Sequence, residues 1–154
     1  MQYFDYNEND SESSAAENIT VFSGLSEDEW QMIIQNSRSI EFSPGDLLLK
    51  AGESDDALYI MVSGDVEVVS TNSFGFVKKI ASISEGSVFG ELAFFDSKPR
   101  SASIRAISRG QVLRISRQGF DQIAAWNPKL AQQFLFDVGR ILAYRFRNES
   151  PYKI

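Results

Sequence analysis

Apolar and polar positions change their period three times along the chain. Residues 1–19 show no period: Asp5, Glu8, Asp10, Glu12 and Glu17 stand among Ser, Asn and Ala without a base, the composition of a flexible acidic tail, with Tyr3, Phe4 and Tyr6 as its candidate docking motif. Order is expected from Val21. Ser26 followed by Glu29 is a capping box that opens a short helix, with Leu25 ahead of it and Trp30, Ile33 and Ile34 on one side. From Arg38 the texture turns to short apolar or alternating runs divided by glycine turns. Residues 40–42 end at Ser43-Pro44-Gly45-Asp46, 47–50 at Ala51-Gly52-Glu53, and 58–62 at Ser63-Gly64-Asp65. Val66, Val68 and Val69 lead to a hairpin loop over 71–75. Residues 76–83 end at Glu85-Gly86, 102–107 at Ser108-Arg109-Gly110, and 112–115 close the series. Short strands at this spacing predict an all-β barrel or jelly roll.

The period then lengthens again. Ser116 is placed to cap a helix running to about Ala125, and Asn127-Pro128 supplies a cap and a first-turn proline for a longer one. Its apolar positions are Leu130, Phe134, Val138, Ile141, Leu142 and Phe146, and Pro151 bars continuation. The stripe through Phe134, Val138, Ile141 and Arg145 fits packing on the roll better than pairing with a second subunit, so a monomer or weak homodimer is expected. The fold expectation is mainly β, a β-roll or jelly roll with a short N-terminal helix and two C-terminal helices, over residues 20–154.

Composition narrows the chemistry. The 154 residues contain no histidine and no cysteine. Zinc and iron–sulfur sites built on those ligands, a Ser–His–Asp triad, a cysteine nucleophile and disulfides are thereby excluded. No catalytic residue, metal or cofactor is expected, and cupin-type metal enzymes, which share jelly rolls, lack their histidines here. No apolar run approaches the roughly 20 residues of a membrane span, so a cytoplasmic protein with no membrane partner is expected. The net charge of −6 is lopsided: residues 1–99 carry 18 acids and five bases, and residues 100–154 three acids and ten bases. The expectation is that the halves neutralise each other. Lys129, Arg140, Arg145 and Arg147 are too sparse on an acidic chain for a nucleic-acid partner.

One segment looks over-specified for packing: Val88-Phe89-Gly90-Glu91-Leu92-Ala93, continuing through Pro99-Arg100-Ser101-Ala102-Ser103. It holds a helical turn opening at Gly90-Glu91, whose free N–H groups attract an anion. Gly90 admits a ligand close to the backbone. Pro99 stiffens the return and aims Arg100, whose fork holds a phosphate through two hydrogen bonds; Ser101 adds a hydroxyl. Glu91 beside a phosphate needs a hydroxyl to bond, such as a ribose 2′-OH. Together they suggest a sugar phosphate or nucleotide. The other reading is that Glu91 and Arg100 pair with each other across a tight loop.

The segment resembles the phosphate-binding cassette of cyclic nucleotide-binding domains, the family of the catabolite activator protein and the regulatory subunits of cAMP-dependent protein kinase. Phe42-Ser43-Pro44-Gly45-Asp46, Ala51-Gly52-Glu53 and residues 59–66 resemble its early strands and turns, so the likeness covers about residues 20–146. The resemblance implies a β-roll flanked by helices. It implies that Arg100 binds the cyclic phosphate and Glu91 the ribose 2′-OH, with Gly90, Leu92, Ala93 and Ser101 lining the phosphate and Val68 and Ile80 forming pocket wall. It also implies a C-terminal helix acting as a lid, bringing Leu142, Arg145 or Phe146 near the purine: Arg145 to stack on it, Leu142 or Phe146 to cap it. The alternative for all three is a packed or solvated helix face. By the same resemblance, serine at position 101 implies cAMP as ligand, with cGMP as the alternative because serine retains a hydroxyl that can meet the guanine amino group. The chain ends soon after the lid, so the expected output is non-catalytic signalling in trans to an effector protein, by repacking of the C-terminal helices. The alternative function is a degenerate, ligand-independent interaction module of the same fold.

Overall fold

The computed structural model describes residues 20–148; the tail of residues 1–19 and the stop at Pro151 lie outside them. Helix α1 (Glu27–Gln35) opens on the expected capping box: Ser26 Oγ accepts from the Glu29 amide at 3.2 Å, and Glu29 Oε1 accepts from the Ser26 amide at 3.0 Å. Only Ile33 of its expected apolar side is buried; Ile34 stays half exposed, and Trp30 touches Phe22 edge-on.

Eight strands follow: β1 (Arg38–Phe42), β2 (Leu47–Leu49), β3 (Leu58–Ser63), β4 (Val66–Thr71), β5 (Val77–Ile83), β6 (Val88–Phe89), β7 (Ser103–Ala106) and β8 (Gly110–Ile115). They form two four-stranded antiparallel sheets, in the orders β1-β8-β3-β6 and β2-β7-β4-β5. The sheets close over one core, made by Phe42, Tyr59, Met61, Val66, Phe89 and Val112 among others. A second core lies between the outer face of the first sheet and the helices, where Leu58, Ile60, Leu113 and Ile115 meet Ile33, Phe120, Phe134 and Ile141. Strand β3 therefore buries both faces: Leu58 and Ile60 point to the helices, Tyr59 and Met61 to the facing sheet. That explains why its sequence is a continuous apolar run.

Strand β6 has no sequence signature. Its two residues are too short for a period, and it exists because Phe89 and Val88 pair with Tyr59 and Ile60 of β3. It delivers the chain to a short helix, α2 (Glu91–Asp96). At the back, α3 (Arg117–Trp126) is capped by Ser116 Oγ, which accepts from the Gly119 amide at 3.0 Å. The longer helix α4 (Pro128–Asn148) begins at the expected proline, with Asn127 Oδ1 accepting from the Leu130 amide. Leu130, Phe134, Val138, Ile141 and Arg145 are buried against the roll. Phe146 departs from the expected stripe and is 65% exposed. No described helix is long and apolar enough to cross a membrane.

Candidate functional site

The site grows from the turn between β6 and α2. Gly90 stands at φ +77°, a left-handed conformation that L side chains rarely adopt, and a Cβ there would lie 2.9 Å from Arg100 Nη1 and 3.1 Å from the Ala57 carbonyl. Glycine lets the Arg100 fork reach the backbone. Arg100 Nη1 donates to the Gly90 carbonyl at 2.9 Å, and Nη2 to the Ala57 carbonyl at 2.8 Å and to Asp55 Oδ2 at 3.1 Å. Its side chain is 3% exposed, and its buried Nε has no hydrogen-bond partner. The Arg100 backbone is fixed as well: its amide donates to the Glu53 carbonyl, and its carbonyl accepts from the Gly52 amide, both at 2.8 Å. The Gly52-Glu53 turn thus clamps the return after Pro99.

Asp55 went unmarked in the sequence, where it is one acid in the run Glu53-Ser54-Asp55-Asp56. In the fold it sits between two arginines: Oδ2 holds Arg100, and Oδ1 accepts from Arg114 Nη2 at 2.6 Å and from the Ala57 amide at 3.2 Å. Burial pushes its carboxyl up, but the Ala57 N–H, Arg114 and Arg100 together outweigh burial and hold it below its ordinary value. Arg114 is in turn held above its ordinary value: burial lowers it, and Tyr59 and Asp55 overcome that.

Glu91 is buried in the first turn of α2 and pairs with Arg145 of α4, Nη1 to Oε1 at 3.0 Å. Arg145 Nη2 donates to the Val88 carbonyl at 2.8 Å and to Ser87 Oγ at 3.3 Å. A direct pair between Glu91 and Arg100 is therefore not what forms. Each has its own partner, Arg145 for one and Asp55 for the other.

Gly90, Glu91, Arg100 and Arg145 come together in this way. Ala93 is buried and Leu92 half-buried in α2, while Ser101 is exposed beside Arg100. Val68 and Ile80, on β4 and β5, share the inter-sheet core with Tyr59 and Phe89. Leu142 packs against the helix-side core, Phe146 is exposed, and Arg145 bonds to Glu91 of the cassette. Sequence had marked Ser87 no more than Asp55; its signal is the buried hydroxyl that Arg145 reaches. Among the described residues, no group of three or more His, Cys, Asp or Glu is placed to hold a metal ion. The arrangement offers a buried cation with a spare N–H, the unbonded first N–H groups of α2, and a carboxylate with one oxygen engaged.

The family model for the cyclic nucleotide-binding domain matches residues 39–127. The chain belongs to that family. Among its cyclic nucleotide-binding relatives, the cAMP-dependent protein kinase regulatory subunit of Emericella nidulans is 34% identical over 70% of this chain. The CRP-like cAMP-activated global transcriptional regulator of Mycobacterium tuberculosis is 27% identical over 84% of it. The chain spans 25% of the first relative's length and 56% of the second's. Among solved structures, a cyclic nucleotide-binding domain from Methylobacillus flagellatus aligns with a TM-score of 0.73 at 27% identity, covering 87% of this chain and 75% of that one. The mainly β roll with flanking helices is the fold of these cyclic nucleotide-binding domains.

Proposed function

We propose that this cyclic nucleotide-binding domain takes a 3′,5′-cyclic nucleotide, cAMP in preference to cGMP, without catalysis, and signals occupancy to an effector protein in trans through α4. The observation that carries this reading is the buried Arg100 guanidinium, whose Nε has no partner. A cyclic phosphate would take that N–H and the opening amides of α2, and the buried setting strengthens each bond. Arg145 occupies Glu91 Oε1, which leaves Oε2 to accept from a ribose hydroxyl. The preference for cAMP draws on Ser101 and on relatives named for dependence on, or activation by, cAMP.

Two connections support a route from site to helix. Arg145 ties α4 directly to Glu91. Phe94 of α2 also packs edge-on against Phe120 of α3, and Phe120 against Phe134 of α4, each with centroids 5.5 Å apart. A nucleotide that shifts the cassette would shift the populations of α4 positions, changing what its outer face, with Phe136 and Arg140, presents. A second reading, a ligand-independent interaction module, is favoured by Asp55, whose grip on Arg100 satisfies part of the fork internally.

Isothermal titration with cAMP and cGMP separates the readings. Saturable binding, tighter for cAMP, weakened about 10- to 100-fold by Arg100→Lys, is the expected outcome. No binding of either nucleotide to a folded chain would leave the interaction module, and tighter cGMP binding would reverse the base assignment.

A further inference from the structure

The hairpin joining β4 to β5 ends in an apolar tip that the fold does not use. Phe74 is 85% exposed, Phe76 72% and Val77 52%. A mobile loop would fold such rings away; this tip is built to display them. The Asn72 side-chain Oδ1 accepts from the Phe74 and Phe76 backbone amides at 2.9 and 3.0 Å, while the Asn72 backbone N–H donates to the Phe76 carbonyl and the Asn72 backbone carbonyl accepts from the Gly75 amide, both at 3.0 Å.

Charge is sorted around the tip. In a chain with 21 acids, residues 68–84 contain none, and they carry two of the five bases of residues 1–99, Lys78 and Lys79. These neighbours alternate across β5, the edge strand of its sheet, so the cations flank the ribbon on both faces just behind the aromatic rings. Lys79 approaches Glu67 at 4.0 Å but keeps half its side chain exposed. Apolar tip first, uncharged Ser70 to Ser73 alongside, cations on both sides behind: this order matches a bilayer interface, where rings enter the acyl boundary and lysines meet headgroups all round. A protein groove would favour cations on the one face it contacts.

We propose that this hairpin dips into anionic lipid surfaces, so that the domain lies reversibly on a membrane without spanning it. The inference stands apart from nucleotide binding and revises the expectation of no membrane partner. The full chain is sedimented with vesicles of phosphatidylcholine alone and of phosphatidylcholine mixed with phosphatidylserine. Binding is expected to the mixed vesicles only, and to fall with added salt. Phe74→Ser is expected to weaken partitioning about tenfold and Lys78→Gln about fivefold, with the melting temperature unchanged because neither side chain packs in a core. Failure to sediment with either vesicle, or equal sedimentation of Phe74→Ser, would overturn the proposal. So would self-association in vesicle-free solution that Phe74→Ser abolishes, since that would make the tip a protein contact.

Discussion

Asp55 carries more of the site than any residue singled out in the sequence, because it is the counter-charge that lets two arginines approach each other. Arg100 and Arg114 both bond it, and without it the buried Arg100 and partly buried Arg114 would repel. Its carboxyl is held below the ordinary value of 3.8. A depressed folded-state value means that the stabilisation is complete above the unfolded-state pKa and is lost as pH falls through the folded-state one. Asp55→Asn is therefore expected to cost about 1–2 kcal/mol at neutral pH, with the wild-type and variant curves converging below about pH 4. Urea unfolding across that range checks it, and curves that stay parallel would show that the Asp55 charge is not the source. The residue was hidden because its signal is three-dimensional: Asp55 and Asp56 are equivalent on the page, and only the turn ahead of β3 decides which faces Arg100. Gly90 and Arg100 were legible, since a glycine before a helical turn and an arginine after a proline are local patterns.

At the scale of elements, α4 is joined to the roll by two unlike contacts, an apolar stripe and one ion pair. The stripe through Phe134, Val138 and Ile141 was legible as a period of 3.6, because burial on one face of a helix imposes that period. Arg145 continues the same stripe, yet its role was not legible. A base on an apolar face has no local partner, and Glu91 lies 54 positions away in sequence. Strands β1 to β5, β7 and β8 were readable from their glycine turns, while β6 depended wholly on pairing with β3. The Arg145–Glu91 bond joins side chains that are 9% and 6% exposed, so breaking it strands a buried carboxylate. Arg145→Ala is expected to destabilise the fold by about 3 kcal/mol, and adding Glu91→Gln should recover part of that loss. A double-mutant cycle by denaturant unfolding measures the coupling. Additive losses would mean that the pair is incidental and that the stripe alone holds α4.

Across the whole molecule, the opposed charges of the two parts of the chain meet at the site. Arg100 and Arg114 bond Asp55, Arg105 bonds Glu67, and Arg145 bonds Glu91, each pairing a base from residues 100–154 with an acid from residues 1–99. Folding thus sets some of these opposed charges against each other while the net −6 remains, and three of these four pairs surround the cassette. The strands interleave as well: β8 lies between β1 and β3, and β7 between β2 and β4. Neither part can keep its sheet without the other, so the domain should melt in one transition. A ligand seated among those pairs would stabilise every strand and helix together. A cyclic nucleotide at about 100 times its Kd adds roughly 2.7 kcal/mol, which for a chain of this length raises the melting temperature by about 5–10 °C. Calorimetry should show a single endotherm that moves intact with cAMP, moves less than half as far in Arg100→Lys at the same cAMP concentration, and moves normally in Phe74→Ser. Two endotherms, of which cAMP shifts only one, would mean that α4 melts apart from the roll, and signalling by a helix docked on the cassette would then have to be abandoned.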